Sequence, residues 1–243
     1  MREFVKVNEA IEDYLKTIYN IQDEHGKVST TMLAKQMNIA PSSATGMIKK
    51  LARLNLVTYE PYRGIQLTSH GRKVALEVLR HHRLIELYLV EALGMRWDEV
   101  HHEAEKLEHV ISKSLIERID SYLGHPAVDP HGAPIPDRHG KVESTPGVKL
   151  ADLKSGQCGV VSEVNDRDSE MLRYLAELGI FPNARIKVLN IAPFQGPMSI
   201  SIEGEERLIW IELAKSIFVK LLPENTEGCR DNQQKNKNVS DNL

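Results

Sequence analysis

Cysteine is scarce in this 243-residue chain: Cys158 and Cys229 are its only two, far apart and with no CxxC spacing. A disulfide framework is therefore not expected, and the cytoplasm is the natural compartment. Hydrophobic runs long enough to span a bilayer are missing, and no signal segment opens the chain, so no membrane partner is expected. A large charge excess is missing too. The net charge of −3 would argue against a nucleic-acid binder. Resolved along the chain, the charge reads differently. Between residues 26 and 75 the basic side chains are Lys27, Lys35, Lys49, Lys50, Arg53, Arg63, Arg72 and Lys73, against Glu60 alone. Between 97 and 125 the sign reverses: Asp98, Glu99, Glu103, Glu105, Glu108, Glu117 and Asp120 face only Lys106, Lys113 and Arg118. One segment suits anions and the next suits cations. The length allows one large or two modest domains with real cores.

The acidic segment contains His101-His102-Glu103-Ala104-Glu105-Lys106-Leu107-Glu108-His109. Periodicity predicts one long helix here, from about Trp97 to Leu123. At about 100° per residue, His101, Glu105, Glu108 and His109 fall within an arc of roughly 100°, beside an apolar stripe of Ala104, Leu107, Ile111 and Leu115. Imidazoles and carboxylates beside a buried stripe converge on neighbouring helices, and such a set can bind a divalent cation. An ordinary acidic helix could carry the same residues by chance. The preceding predicted helix, Ser69 to Leu93, weighs against chance, because His82 and Glu86 share its face at i and i+4. A short connection around Leu93-Gly94-Met95-Arg96 packs the two helices antiparallel, so the pair presents six N/O donors.

The basic segment has its own pattern. A first helix from about Val7 to Asp23 carries Ile11, Leu15, Ile18 and Tyr19 on one face, with Glu12 and Asp13 early and polar. Ser29 caps a short helix through Met37, Asn38 punctuates it, and Pro41-Ser42-Ser43 opens a helix to about Leu54. Two short helices around a tight turn fit a helix-turn-helix. Leu56 to Tyr59 and Ile65 to Thr68 then read as a hairpin around Pro61-Tyr62-Arg63-Gly64, the wing of a winged helix, with Arg63 at its tip. A small helical domain with a stray hairpin is the bland alternative, but topology, hydroxyl-rich helix start and charge agree on DNA. Pro41 sets the entry of the recognition helix, and Ser42, Ser43, Thr45 and Gly46 are short enough for close approach to a groove. Lys35, Lys49, Lys50 and Arg63 supply the sequence-independent phosphate attraction. The apolar surfaces of the two long helices exceed what one small winged helix covers. A two-fold dimer through them would set two recognition helices about one DNA turn apart, on palindromic double-stranded DNA.

Beyond Gly124 the composition turns to Pro and Gly as far as Gly147, which reads as a linker. His125, His131 and His139 lie in it and are expected to be solvated loop histidines. Runs at Gly159 to Val164, Ala184 to Val188, Met198 to Ile202 and Leu208 to Ile211 read as strands, with one helix from about Ser169 to Leu178, giving a small, partly open barrel. The tail from Pro223, poor in apolar residues, is expected to be disordered. The expected fold is mainly α with a small β domain. Its parts are a winged helix-turn-helix (1–70), a helical dimerisation and metal-binding domain (71–125), a linker (126–147), an SH3-like barrel (148–222) and the tail (223–243).

Several marks together resemble the diphtheria toxin repressor family of metal-dependent regulators, and more closely its manganese-responsive branch. They are Glu12-Asp13-Tyr14-Leu15-Lys16-Thr17-Ile18-Tyr19, Pro41-Ser42-Ser43-Ala44-Thr45, Tyr62-Arg63-Gly64 with Leu67-Thr68, His82-Arg83-Leu84-Ile85-Glu86, Glu108-His109 and Gly132-Ala133-Pro134-Ile135-Pro136. Leu178-Gly179-Ile180-Phe181-Pro182-Asn183-Ala184 is similar to the FeoA-type SH3-like domain of longer members. The resemblance implies a homodimeric repressor, not an enzyme, whose operator affinity rises with bound Mn(II), or alternatively Fe(II), and which controls metal-uptake genes. By position it assigns Asp13, Glu105, Glu108 and His109 to one metal site, and His82, Glu86 and His101 to a second. Asp168, with Glu170 as fallback, is the carboxylate added to that second site by the SH3-like domain. Iron-responsive members place sulfur-bearing residues where Asp13 and Glu105 stand, so the hard oxygens here favour Mn(II). Lys16 stands where short manganese-responsive relatives have a second acidic residue.

Two rivals remain. A metallohydrolase would also use His and Glu on helices, but His102-Glu103-Ala104-Glu105-Lys106 lacks the second histidine of a zinc-protease motif and no activated nucleophile accompanies it. A winged-helix regulator of an organic ligand would leave DNA binding insensitive to chelators.

Overall fold

The computed structural model describes residues 8–60, 64–143, 147–166, 168–194 and 196–223. The chain forms two compact units: Met1–Gly94 with His102–Ala127 and Pro134–Glu143, and Met95–His101 with Val128–Ala133 and Ser144–Leu243. Among the described residues no helix is long and apolar enough to cross a membrane.

The first unit opens with α1 (Glu9–His25), whose N-cap Asn8 accepts the N–H of Ile11. Ile11, Tyr14, Leu15, Ile18, Tyr19 and Ile21 are buried, a helical spacing that leaves Glu12, Asp13 and Lys16 on the flank of the core face. Ser29 caps α2 (Thr30–Gln36) through the N–H of Met32. Asn38, at φ 51°, then turns the chain into α3 (Pro41–Arg53), which starts on proline as its fixed φ favours. Ala44, Ile48 and Leu51 of α3 join Leu15 and Ile18 of α1 in one core. The hairpin pairs β1 (Val57–Glu60) with β2 (Gly64–Leu67) in antiparallel register. Residues 61–63, Arg63 included, lie outside the described residues.

A single residue, Thr68, separates β2 from α4 (Ser69–Leu93). Its hydroxyl donates to the carbonyl of Asn55 at 2.8 Å and accepts the N–H of Gly71 at 3.1 Å. A Cβ on Gly71 would stand 1.9 Å from the carbonyl oxygen of Leu56, so only glycine lets the first turn of α4 approach this closely. α4 has the predicted bounds and ends at Gly94 in the left-handed conformation.

The expected helix from Trp97 to Leu123 is two helices, α5 (Val100–Leu107) and α6 (Lys113–Tyr122). The N–H groups of Val110 and Ile111 fold back on the carbonyl of Leu107, and Ser112 caps α6 by accepting the N–H of Leu115. The expected apolar stripe breaks with it. Ala104 is buried, but Leu107 and Leu115 are exposed, and Ile116 and Ile119 are buried instead.

The second unit is a six-stranded antiparallel sheet. Its strands are β3 (Val148–Lys149), β4 (Cys158–Val164), β5 (Arg185–Ile191), β6 (Met198–Ile202), β7 (Glu205–Ile209) and β8 (Ile217–Leu221), in the spatial order β3-β8-β4-β5-β6-β7. β3 and β7 are edges, so the sheet does not close on itself, where a small, partly open SH3-like barrel is expected from the sequence. The four expected strands are present, β6 with the expected bounds and the other three with shifted ends, and Ile211 opens a short helix, α8 (Ile211–Ala214). β3 and β8 went unread. α7 (Ser169–Glu177) contributes Leu172 and Leu175 to a core with Val161, Ile186, Val188, Ile200 and Ile217, and Trp97 packs against it. Cys158 is buried in β4; the other cysteine, Cys229, and the tail from residue 224 lie outside the described residues.

Candidate metal centre and nucleic-acid interface

In the first unit α1 and the turn that follows α5 bring Asp13, Glu108 and His109 together, with one ligand atom of each within 4.8 Å of the others. His109 Nε2 donates to Asp13 Oδ1 at 2.9 Å and Nδ1 donates to Glu12 Oε2 at 2.6 Å. Burial pulls the His109 pKa down, but the bond to Glu12 and the charges of Glu108 and Asp13 outweigh it, and the net shift is upward. Asp13 is pushed up, chiefly by its own burial. Glu108 is fully buried. Its Oε2 accepts from His82 Nδ1 at 2.5 Å, and its Oε1 accepts from Lys16 Nζ at 2.5 Å. Burial would raise its pKa, yet His82 and Lys16 hold it below the usual carboxylate range. His82 Nε2 lies 3.0 Å from Glu86 Oε1, one helical turn on. Desolvation opposes the charge on His82, but the Glu86 and Glu108 carboxylates prevail and raise its pKa to about 10.

Glu105 is not part of this group. It is exposed, with its carboxylate 3.9 Å from His102 Nδ1, because the group centres on the turn after α5 rather than on a continuous helix face.

His101 belongs to the second unit, where its Nδ1 is 3.8 Å from Asp166 Oδ2. The carboxylate beside His101 is therefore Asp166. Asp168 instead caps α7, its Oδ1 accepting the N–H groups of Glu170 and Met171. Glu170, the fallback, is exposed in the first turn of α7.

Within the same unit Asp129, His131 and Asp166 present ligand atoms within 4.8 Å of one another. His131 was expected to be solvated, but it is fully buried. Its ring stacks on Trp97 at 5.5 Å, and Nε2 donates to the carbonyl of Trp97 at 2.8 Å. Asp129 Oδ1 accepts the N–H groups of His131 and Ala133. Gly132, at φ 89°, sits so close to β4 that a Cβ would meet the carbonyl oxygen of Ser162 at 2.0 Å. His125 and His139 do behave as loop residues, although His125 Nδ1 contacts Asp120 Oδ2 at 2.8 Å.

Sequence reasoning thus missed Glu12, Asp129, His131 and Asp166. An Asp and a His two apart beside Gly132 were the available signal, hidden by the Pro- and Gly-rich composition around them.

On the opposite side of α3 from Ala44, Ile48 and Leu51, the side chains of Pro41, Ser42, Ser43, Lys49 and Lys50 are exposed, as is Gly46. Thr45 is half-buried and its hydroxyl donates to the carbonyl of Pro41 at 2.8 Å, so only its acceptor capacity faces outward. A Cβ on Gly46 would meet nothing within 4 Å. Lys35, on α2, is exposed as well. The helix start therefore presents hydroxyls with a basic end, as a recognition helix does.

A helix-turn-helix with its hairpin, and a carboxylate–imidazole group anchored on its first helix, define a metal-dependent DNA-binding regulator. The comparisons with known proteins agree. Residues 6–65 match the iron dependent repressor N-terminal DNA binding domain, 68–137 the iron dependent repressor metal binding and dimerisation domain, and 148–221 the FeoA domain. The iron-dependent repressor IdeR of Mycobacterium tuberculosis is 31% identical over 223 residues, covering 86% of this chain and 94% of that protein. A solved manganese-dependent transcriptional repressor in complex with manganese is 42% identical, covers 87% of this chain and 100% of its own, and superposes with a TM-score of 0.83. The manganese regulator SloR is 31% identical, with a TM-score of 0.73 over 88% of this chain and 99% of its own.

The chain belongs to the diphtheria toxin repressor (DtxR/IdeR) family of iron-dependent repressors, in the form that carries a FeoA domain. It is a metal-dependent transcriptional repressor that binds DNA and dimerises through its second domain, and its family is not one of enzymes.

Proposed function

We propose that this repressor uses Mn(II) as its corepressor and shuts off metal-uptake genes by binding a palindromic operator as a homodimer. The observation that carries the reading is the Asp13–Glu108–His109 group, whose donors are two carboxylates and one imidazole with no sulfur. Hard oxygen donors suit Mn(II), although divalent affinity order favours later metals at any such site. The relative at 42% identity is named as manganese-dependent and was solved with manganese. The donor set fits Fe(II) nearly as well, and the named iron-dependent relatives keep Fe(II) as the second reading.

Asp13 is a residue of α1, whereas Glu108 and His109 follow α5. A cation held by all three fixes α1 and, through its shared core with α3, the pose of the recognition helix. It needs only to bind the DNA-competent form more tightly than the other. His101, Asp129, His131 and Asp166 are the ligand candidates of the second unit, with Asp166 preferred to Asp168. His82 and Glu86 support Glu108, and Glu105 joins the first group only if its side chain rotates inward. The DNA-contacting residues are Lys35, Pro41, Ser42, Ser43, Thr45, Gly46, Lys49, Lys50 and Arg63.

The test is anaerobic titration of binding to DNA from the chain's own upstream region, in buffered free Mn(II) and then Fe(II), with chelator as control. Saturation at lower free Mn(II) supports the proposal. Preference for Fe(II) overturns the metal assignment, and indifference to both overturns metal control itself.

A further inference from the structure

Among the described residues around Glu108, Lys16 is a cation that is neither a metal-ligand type nor on the surface. Its side chain is only 12% exposed, and Nζ lies 2.5 Å from Glu108 Oε1. The two oxygens of Glu108 are not equivalent. Oε2 is turned to His82 Nδ1 at 2.5 Å, whereas Oε1 is the one 3.3 Å from His109 Nε2, which itself meets Asp13 Oδ1 at 2.9 Å. A divalent cation shared by Asp13, Glu108 and His109 would therefore draw on Oε1, the oxygen that the Lys16 ammonium holds.

We propose that Lys16 is a tethered counter-cation that competes with divalent metal for Glu108 Oε1 and so sets the free-metal concentration at which this group fills. The inference rests on the reading of Asp13, Glu108 and His109 as a metal site. A fully buried carboxylate without a partner is costly, so the ammonium stabilises the metal-free arrangement. A metal ion must displace it, and the released ammonium then repels the bound ion at short range. Lys16 lies three residues beyond Asp13 on α1, so the helix that supplies one ligand also carries the competitor for another. Metal affinity is lower than the donor set alone would give, which keeps the group responsive to changes in free metal rather than permanently loaded.

Lys16→Met keeps the apolar stem and removes the charge. Titrated with Mn(II) against a fluorescent chelator, the folded variant is expected to bind at least tenfold more tightly than the parent, while Lys16→Arg, which retains the charge, stays near the parent. Equal or weaker binding by a Lys16→Met protein of normal helical content and dimer mass overturns the proposal. Asp13→Ala in the same titration separates the two readings. If Asp13→Ala binds as the parent does, the site assignment has failed, and if it binds weakly while Lys16→Met is unchanged, only the role of Lys16 has failed. A measurement on the unaltered protein covers the case in which Lys16→Met does not fold. The Lys16 amine should react slowly with an amine-acylating reagent in chelator and faster with saturating Mn(II), read by peptide mass spectrometry. Unchanged reactivity counts against displacement.

Discussion

Glu12 is expected to act on metal affinity through His109 without touching the metal. His109 donates from both ring nitrogens, at 2.6 Å to Glu12 and 2.9 Å to Asp13. When Nε2 turns to a metal, Nδ1–H still points at Glu12, which fixes the tautomer and makes the ring a better donor. A charge-assisted bond of this kind contributes about 1.5–3 kcal/mol. Outer-shell carboxylates on ligating histidines are worth roughly 10–100-fold in affinity, which spans about 1.4–2.7 kcal/mol. Glu12→Gln keeps an acceptor but loses the charge, so about tenfold is expected; Glu12→Ala removes both and should approach about a hundredfold. The assay is competition of Mn(II) between protein and chelator, repeated from pH 6.5 to 8.5. Because Glu12 is the first upward cause of the His109 shift, the variants should also lose part of the proton competition that weakens metal binding at the acid end. Parent-like affinity in both variants at every pH would refute the orienting role.

Further outcomes follow from the same geometry. His82 and His109 both have pKa values raised above the ordinary 6.5, His82 to about 10. Their stabilising contribution in the metal-free protein is thus complete below about 6.5 and is lost as pH rises toward about 10. Melting temperatures in chelator should fall across that window, and a flat profile would contradict the ion-pair chain. Lys49→Ala and Lys50→Ala should each weaken DNA binding on all sequences and reduce the slope of log affinity against log salt by about one; an unchanged slope would remove these residues from the interface. Gly132→Ala forces a Cβ against the Ser162 carbonyl at a positive φ, and urea denaturation should show a loss of about 3 kcal/mol. A loss under about 0.5 kcal/mol, the range of neutral surface changes, would mean that the loop is not held there.

Local signals carried much of the fold. α4 was legible to the residue because its apolar period runs unbroken from Ser69 to the glycine that ends it. The split between α5 and α6 was not, because Leu107, Ile111 and Leu115 continue the helical period across it; Ser112, the cap that decides the matter, can also sit inside a helix. β8 is a five-residue strand without clear alternation, and β3 has two residues whose only pairing is with β8, so neither had a periodicity to read. In the candidate site, Asp13, Glu108 and His109 were legible by resemblance, and His82 and Glu86 by spacing. Glu12 was visible as an early polar residue of α1, but its partner lies 97 positions away. The resemblance points to Asp168, with Glu170 as fallback, although the place of Asp168 immediately before Ser169 is the preferred place for a helix cap, and a capping carboxylate has already committed an oxygen.

The joint at Thr68 has a mechanical consequence. A 25-residue helix is a rod about 37 Å long, and here its first turn is locked to the hairpin with no slack. His82 and Glu86 sit about midway along the same rod. A rotation of about 5° imposed at the middle of a rigid rod, about 20 Å from its start, would arrive at the hairpin as a displacement of about 1.7 Å, enough to make or break a hydrogen bond. If metal binding shifts these buried side chains, the rod is the element that would carry the shift to the hairpin.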